Sequence, residues 1–421
     1  MEASTRTDRP RILVITPWDR MWSLDAGAGV SDEHHFIAGF TRAGYEVHFL
    51  APAAPEAGAV HYENVELHTY PNFFHWTAGW PSVLRRLLWP LLFHLVVAPP
   101  ALRLLRALRP VFVLGLSHYT PLTTWLCRRA GVPAGVKLAG VMDLVHTEWP
   151  RPRYFFKNFE QLAALRFPQD AWIVLDDGTR GGDVLRARGI DPERIHFLPN
   201  GLDVEWLDAP APDRAAARAR LGISGEARVV LFLARLVASK RPVDLVRAAR
   251  DVLARGGDET LFVFAGDGPE RAESEEAARA AGVAGHVRFT GVVPHDEVPA
   301  LMAASDLFVS TSNLTNMALP TCEALICGVP VIAYDVGDTA RVVRHGETGL
   351  LVPDGDVDAL AAAVAALLED PQSRERMGRA GRRLAREGFT RWDARVDMEV
   401  EIVRRIVAEK KEGAARCAAP A

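Results

Sequence analysis

The residues between positions 311 and 349 combine features that suit the binding of a diphosphate. The stretch reads TSNLTNMALPTCEALICGVPVIAYDVGDTARVVRHGETG. Pro320 suits the first position of a helix, because its missing N–H has no partner to lose there, and Gly328 suits the end of the same helix. Free amides at a helix start can hold phosphate oxygens. The stretch therefore predicts a phosphate-binding helix inside a β-α-β unit.

Glu323 lies one turn into this predicted helix. Its carboxylate would be close enough to the helix start to accept hydrogen bonds from ribose hydroxyls beside a bound diphosphate. An acidic residue near a helix start also complements the helix dipole without any ligand. From the residues alone, both interpretations of Glu323 stand.

Arg235 and Lys240 follow directly after a predicted strand at residues 229–233. Open α/β sheets bind their ligands beyond the carboxyl ends of the strands, so both side chains can reach one site. An arginine fork suits phosphate oxygens and a lysine adds a compact second charge, which together can take the place of a metal ion. The alternative is a solvated basic pair at a helix start.

The composition is that of a two-domain protein without a bias toward nucleic acid. The chain has 421 residues, which exceeds the size at which single cores usually split, and its 49 basic and 53 acidic side chains give a net charge of −4. Four cysteines without CxxC spacing favour thiols in a reducing compartment. The polar start, MEASTRTDRPR, has no apolar core of a secretory signal, so we expect a cytoplasmic protein.

Strand-like runs alternate with amphipathic helical stretches, which predicts an α/β fold with parallel sheets. The first series of predicted strands covers residues 11–16, 47–51, 111–116, 135–138, 171–175 and 194–198. The second series covers residues 229–233, 261–265, 287–290, 307–310 and 331–334.

Several segments together resemble the retaining glycosyltransferases of family four, which have the GT-B fold. Within the opening stretch the matching residues are Leu319, Pro320, Glu323, Ala324, Cys327, Gly328, Pro330 and Val331. The other matching segments, in the order that the family has them, are LPNGLD (198–203), LARLVASK (233–240), VFAGDGP (263–269), FTGVVP (289–294) and HGETGLLV (345–352). The likeness is strongest between residues 195 and 352.

The resemblance implies two Rossmann-like domains facing across a cleft. Residues 1–205 would bind the acceptor and residues 206–385 the nucleotide sugar. Residues 386–421 would form a helix that crosses back to the first domain and a flexible tail.

The resemblance also assigns roles to individual residues. The catalytic group would be Arg235, Lys240 and His118. The donor-binding residues would be Gly27, Gly29, Gly266, Val293, Thr315, Asn316, Met317, Ala318, Leu319 and Glu323. The acceptor-side candidates are Lys137, Asp143, His146 and Asp177. No metal ligand and no cofactor are implied beyond the nucleotide sugar itself.

The chain departs from the family's pattern at two positions. Thr315 stands where the family has the first of two glutamates, which contacts the donor sugar, so the identity of the sugar is open. Ala139 stands where many members have a histidine beside the reacting sugar. His118 is the nearest residue that could cover that role, although a lone loop histidine is also a common packing residue.

Asp354-Gly355-Asp356 has the Asp-x-Asp form that metal-dependent sugar transferases of another fold use. It follows Pro353 and precedes an alanine-rich helix, so we interpret Asp354 as a turn residue and Asp356 as a helix N-cap.

Residues 82–109 alternate apolar side chains with arginines. This composition is typical of a helix lying on an anionic membrane surface, and a buried helix hairpin is the alternative. Prolines at positions 90, 99 and 100 argue against a spanning helix.

These features predict transfer of a sugar from a nucleotide diphosphate donor to a carbohydrate or lipid-linked acceptor, with retention of configuration, in cell-surface glycan synthesis. A GT-B binding protein without catalysis and a nucleotide-sugar epimerase of the same fold are the alternatives. A nicotinamide oxidoreductase is excluded, because Gly27-Ala28-Gly29 lacks the third glycine and lies well past the first strand.

Overall fold

The computed structural model describes residues 9–18, 31–53, 64–72, 82–141, 151–176, 178, 180–223, 227–256, 259–314 and 319–418. The chain forms two compact units. Unit 1 comprises residues 1–176, 180–199 and 392–421, and unit 2 comprises residues 177–179 and 200–391. The domain boundaries expected after residues 205 and 385 lie close to these divisions and stay predictions.

Unit 1 contains a seven-stranded parallel sheet with the order β3-β2-β1-β4-β5-β6-β7. Its strands are β1 (Arg11–Ile15), β2 (Glu46–Pro52), β3 (Val65–Tyr70), β4 (Phe112–Leu116), β5 (Ala134–Leu138), β6 (Ala171–Leu175) and β7 (Ile195–Leu198). The helices between them are α1 (Ser31–Arg42), α2 (Ser82–Leu108), α3 (Pro121–Arg129), α4 (Arg151–Ala164) and α5 (Gly181–Ala187). Helices cover both faces of this sheet, which is why strands such as β4 are buried at every residue.

Unit 2 contains a six-stranded parallel sheet with the order β10-β9-β8-β11-β12-β13. Its strands are β8 (Arg228–Leu233), β9 (Thr260–Ala265), β10 (Val287–Gly291), β11 (Leu307–Ser310), β12 (Val331–Tyr334) and β13 (Gly349–Val352). Its helices are α6 (Arg214–Arg220), α7 (Pro242–Ala254), α8 (Arg271–Ala280), α9 (Val298–Ala304), α10 (Leu319–Cys327), α11 (Val357–Glu369) and α12 (Pro371–Gly388).

Every strand that the sequence predicts is present, and two more occur that it did not predict, β3 and β13. Both are edge strands. An edge strand needs fewer apolar residues, and β3 (VELHTY) has only one fully buried side chain. β13 has only four residues and lacks a long apolar run.

Helix α2 is a single continuous helix, so the hairpin alternative for residues 82–109 is wrong. Trp89, Phe93 and Val97, one turn apart, are buried in the core of unit 1 against the sheet. This burial offsets the cost of the prolines at positions 99 and 100, each of which removes a backbone hydrogen bond. By length and composition alone, residues 91–108 could cross a membrane, but one face of the helix is already packed against unit 1.

The last helix of the chain, α13 (Trp392–Ala418), belongs to unit 1. Val396, Val400 and Val403 on this helix pack into the same core as Phe36 and Phe40 of α1. The two helices are so close that a Cβ atom on Gly39 would lie 2.2 Å from Val396 Cγ1.

A buried cluster of four charged side chains joins α13 to α1 and β5. Lys137 Nζ lies 2.6 Å from Asp32 Oδ2 and 3.0 Å from Glu399 Oε1, and Arg395 Nη2 lies 2.7 Å from Asp32 Oδ1 and 3.3 Å from Glu399 Oε1. Burial acts to raise the pKa of Asp32, but the charges of Lys137 and Arg395 outweigh it and hold that pKa below its usual value. The two cations and two carboxylates therefore neutralise each other inside unit 1.

We expect Glu399→Ala to lower the free energy of unfolding of unit 1 by about 3–5 kcal/mol, because it leaves two buried cations with one carboxylate. Urea unfolding followed by circular dichroism and tryptophan fluorescence measures this loss. Glu401→Ala, on the exposed face of the same helix, is the control. An equal, small effect of both substitutions would show that the cluster contributes little.

Candidate functional site

The loops after β8 and β11 meet in unit 2 at the point where the strand order reverses. From β8 the chain continues to β9 and β10 on one side, and from β11 to β12 and β13 on the other. Thr311 Oγ1 donates hydrogen bonds to the carbonyl oxygens of Lys240 (2.7 Å) and Arg241 (2.9 Å). The backbone N–H of Asn313 donates to the carbonyl of Ser239 at 3.1 Å. Open α/β sheets bind ligands at such a switch point.

Arg235 and Lys240 lie together in the loop after β8. The half-buried Lys240 donates from Nζ to Ser312 Oγ at 3.3 Å, across the switch point. Burial lowers the pKa of Lys240, and the nearby charge of Arg235 lowers it further. Arg235 itself is exposed. The structure thus brings the two predicted cations close enough to repel each other, and it adds Ser312, which the sequence analysis did not identify.

Gly266 lies at the end of β9, where the next loop packs against the loop that carries Arg235. Its φ is +131°, and a Cβ atom would lie 2.0 Å from the carbonyl oxygen of Ala234. Gly268 repeats this arrangement at φ +155°, with a Cβ atom 2.3 Å from the carbonyl oxygen of Leu236. Only glycine permits backbones to approach so closely, so these residues fix the shape of the loops around Arg235.

The loop after β10 carries Val293, one of the predicted donor-binding residues. The backbone turns at Gly291, which has a φ of +76° and whose carbonyl accepts a 2.7 Å hydrogen bond from the N–H of Gly266. Val293 is half-buried and packs on the core, whereas the side chain of Val292 is 74% exposed. The loop that carries Val293 therefore adjoins the glycine loop after β9.

Helix α10 begins at Leu319, which packs against the core of unit 2, and ends where the sequence predicts. Gly328 has a φ of +79°, and the N–H of Val329 donates to the carbonyl of Ala324 at 2.8 Å, which closes the last turn. Glu323 is the fifth residue of the helix as described, and so lies one turn in from Leu319.

Glu323 is buried and faces two other titratable groups, Asp203 and His295. His295 Nε2 lies 3.0 Å from Asp203 Oδ2, and this hydrogen bond raises the pKa of His295. Burial raises the pKa of Glu323 to about 7; His295 partly opposes this shift and Asp203 adds to it. A simple complement of the helix dipole would be an exposed, ionised carboxylate, so the burial of Glu323 favours a binding role.

The ligand atoms of Asp203, His295 and Glu323 all lie within 4.8 Å of one another, close enough to share a cation. The Asp-x-Asp sequence does not form such a group. Asp356 caps α11 by accepting from the N–H of Ala359 at 2.9 Å, as predicted, and Asp354 pairs with Arg241 at 2.7 Å.

Two predicted acceptor-side or catalytic residues lie in unit 1. His118 follows β4, with Nε2 4.0 Å from Glu160 Oε2 and its ring 4.0 Å from that of Tyr119. Lys137, predicted to face the cleft, is 4% exposed and pairs with Asp32 and Glu399 in the buried cluster. These partners give Lys137 a structural role, and contact of either residue with an acceptor stays a prediction.

Several predicted site residues lie outside the described part of the chain. On the donor side they are Gly27, Gly29, Thr315, Asn316, Met317 and Ala318. On the acceptor side they are Asp143, His146 and Asp177.

Comparison with known families matches most of the chain. Residues 31–201 match the glycosyl transferase 4-like domain, and residues 213–384 match the glycosyl transferases group 1.

Curated relatives and solved structures agree with this assignment. The chain is 33% identical to the D-inositol 3-phosphate glycosyltransferase of Jonesia denitrificans over 66% of this chain and 68% of that protein. It is 37% identical to the GDP-mannose-dependent alpha-(1-6)-phosphatidylinositol monomannoside mannosyltransferase of Mycolicibacterium smegmatis over 48% of this chain and 54% of that protein. Sucrose-phosphate synthase from Thermosynechococcus elongatus has the same fold, with a TM-score of 0.74 at 20% identity over 95% of this chain and 100% of that one.

The alignments with curated relatives span about half to two thirds of the relatives' length. Both units carry a family match, both contain a parallel α/β sheet, and unit 2 has the loops that the family's motifs predict. The chain therefore belongs to the group 1 glycosyltransferases, the family-four type with the GT-B fold.

Proposed function

We propose that this protein is a retaining, metal-independent glycosyltransferase that moves a sugar from a nucleotide diphosphate donor to a carbohydrate or lipid-linked acceptor. Unit 2 would bind the donor and unit 1 the acceptor. The assignment rests on the pairing of Arg235 and Lys240 at the switch point of unit 2.

Two neighbouring cations are an unfavourable arrangement unless an anion joins them. The lowered pKa of Lys240 reflects this, because burial and the charge of Arg235 both disfavour its protonated form. A diphosphate placed between the two side chains would favour the protonated form of Lys240 and accept hydrogen bonds from the arginine fork. Ser312, 3.3 Å from Lys240 Nζ, orients the amine toward the switch point.

The rest of the donor would extend from this diphosphate along the same edge of the sheet. The nucleobase would lie at the loop of Gly291 and Val293, and the ribose hydroxyls would donate to Glu323. The donor sugar would meet Thr315, whose hydroxyl replaces a carboxylate, so we expect a sugar with a different hydroxyl pattern or an N-acyl group.

Catalysis would consist mainly of stabilising charge. As the bond between the anomeric carbon and the diphosphate breaks, negative charge grows on the leaving oxygens, and Arg235 and Lys240 are already in place to stabilise it. The acceptor hydroxyl would attack from the same face and give its proton to a diphosphate oxygen, which preserves the anomeric configuration. The GDP-mannose dependence of the mycobacterial relative supports a nucleotide diphosphate donor.

The exposed face of α2 supports a membrane location for the acceptor. Leu88, Leu91 and Leu95 are 36%, 60% and 72% exposed, and Arg103 and Arg106 are exposed on the same side of the helix. Apolar and basic side chains on one helix face suit the interface of an anionic membrane. We therefore propose peripheral contact with the cytoplasmic membrane face, where a lipid-linked acceptor would present its sugar.

The proposed function is tested by incubating the full chain with a panel of nucleotide sugars and lipid-linked or soluble glycan acceptors in excess EDTA. We expect a nucleoside diphosphate and a glycoside of retained configuration to form. Binding without product would indicate a non-catalytic protein, turnover without acceptor an epimerase, and activity that EDTA abolishes and Mg²⁺ or Mn²⁺ restores a metal-dependent enzyme.

Removal of either cation should slow the chemical step. We expect Arg235→Ala and Lys240→Ala each to lower kcat about 10²–10³-fold, which corresponds to about 2.7–4 kcal/mol of lost transition-state stabilisation. Arg279→Ala, at an exposed position of α8, is the matched control. Near-normal turnover in both site variants would show that the diphosphate binds elsewhere.

Donor binding should release a proton from Glu323. Near its pKa of about 7 the carboxyl group is partly protonated, and hydrogen bonds from ribose hydroxyls favour the ionised form. The donor affinity should therefore rise with pH between about 6 and 8. Calorimetry of a nucleotide sugar in buffers of different ionisation enthalpy counts the protons released.

Two variants complete this measurement. Glu323→Gln should bind the donor without proton release, whereas Glu273→Gln, at an exposed site on α8, should behave as wild type. Unchanged proton release in Glu323→Gln would exclude this carboxylate from the ribose site.

The membrane proposal predicts co-sedimentation with anionic vesicles at low salt and release as salt increases. Changing Leu91 and Leu95 to serine, or Arg103 and Arg106 to glutamine, should reduce the bound fraction. Changing Arg186 and Arg404, which are exposed on other helices of unit 1, to glutamine is the control. Wild type remaining in the supernatant would contradict membrane contact and favour a soluble acceptor.

A further inference from the structure

Unit 1 has a second group of titratable side chains, at the opposite end of its strands from the ligand-binding edge of a parallel sheet. His48 and Glu66 lie near the starts of β2 and β3, and His68 lies in the middle of β3. In the strand register His48 pairs with Glu66 and Leu50 pairs with His68, so all three side chains point to the same face of the sheet.

The potential ligand atoms of His48, Glu66 and His68 all lie within 4.8 Å of one another, close enough to surround a metal ion. His48 Nδ1 lies 3.1 Å from His68 Nε2 and 3.5 Å from Glu66 Oε2, and His68 Nε2 lies 3.9 Å from Glu66 Oε1. Around a tetrahedral zinc ion with bonds of about 2.0–2.2 Å, neighbouring ligand atoms are about 3.3–3.6 Å apart. We propose that His48, Glu66 and His68 bind a divalent transition-metal ion of the zinc type.

The surroundings of His48 support this assignment. Its other ring nitrogen, Nε2, is buried without a hydrogen bond among the described residues, and Glu46 Oε1 lies 3.7 Å away. Arg11 Nε donates to the second oxygen of Glu46 at 2.8 Å and so holds this carboxylate in place. Ligating histidines usually donate their other ring N–H to a carboxylate, which orients the ring and increases its basicity, and Glu46 lies on that side of His48, although beyond hydrogen-bonding distance.

One of the three proposed ligands is buried and so held in place, and the other two are exposed enough for an ion to reach the site. His48 is 1% exposed, whereas the side chains of His68 and Glu66 are 20% and 59% exposed. A water molecule would complete the coordination on the exposed side.

Two imidazoles and one carboxylate are a ligand set that zinc accepts, whereas magnesium and calcium prefer oxygen ligands alone. The ion would join edge strand β3 to β2, far along the chain from Arg235 and Lys240. Its expected role is therefore to stabilise unit 1, and the metal-independence proposed for catalysis is unaffected.

The test uses the full chain stripped by a chelator and then titrated with Zn²⁺ by calorimetry, or with Co²⁺ by visible spectroscopy. We expect one ion per chain at this site, a tetrahedral Co²⁺ spectrum, and a higher melting temperature with Zn²⁺. Glu66→Gln and His68→Gln should each abolish the Co²⁺ spectrum and the thermal shift. Glu46→Gln should weaken Zn²⁺ binding about 10–100-fold.

His295→Gln is the matched control, because it removes a histidine from the other group that could hold a cation. It should leave the Co²⁺ spectrum unchanged. The Glu66 side chain is largely exposed, so this variant should fold even if the histidine variant does not. No bound ion, equal binding by Glu66→Gln and wild type, or loss of binding only in His295→Gln would overturn the proposal and leave a plain hydrogen bond between His48 and His68.

Discussion

The proposed donor site of unit 2 centres on two neighbouring cations at the switch point of its sheet. Arg235 and Lys240 follow the same strand, and the loop after β11 holds them in place through Thr311, which bonds to the backbone beside Lys240. Burial prevents water from screening Lys240 fully, so burial and the nearby charge of Arg235 both disfavour its protonated form. The glycines after β9 also shape this site, since their missing side chains let the backbones of the loops around Arg235 approach each other closely.

Burial also shifts the pKa of Glu323, but upward, whereas it lowers the pKa of Lys240. A carboxylate taken out of water becomes a weaker acid, and Asp203 strengthens this effect while His295 moderates it. The two cations and the Glu323 carboxylate would thus gain further hydrogen bonds from a bound ligand. Cations would meet phosphate oxygens, and the carboxylate would meet hydroxyl donors, which matches the order of groups along a nucleoside diphosphate.

The sequence predicted the helices and strands well, because these depend on local patterns. Buried parallel strands are continuous apolar runs, and Gly328 ends α10 where only a left-handed residue fits.

The sequence predicted poorly which residues, distant along the chain, become partners in the fold. Nothing near Lys137 in the sequence indicates that Asp32 and Glu399 neutralise it, and nothing near Glu323 indicates Asp203 and His295. The histidines of β2 and β3 were missed for the same reason, since only the strand register brings His48 and His68 together. The sequence did not predict that α2 is continuous, because its prolines favour a break and the core contacts that stabilise the helix are formed only in the fold.

The most direct test of the central claim is a crystal structure of the protein with a nucleoside diphosphate. The account predicts phosphate oxygens within hydrogen-bonding distance of the Arg235 guanidinium and Lys240 Nζ, with a ribose hydroxyl donating to Glu323. A nucleotide bound with its phosphates away from both cations would contradict it.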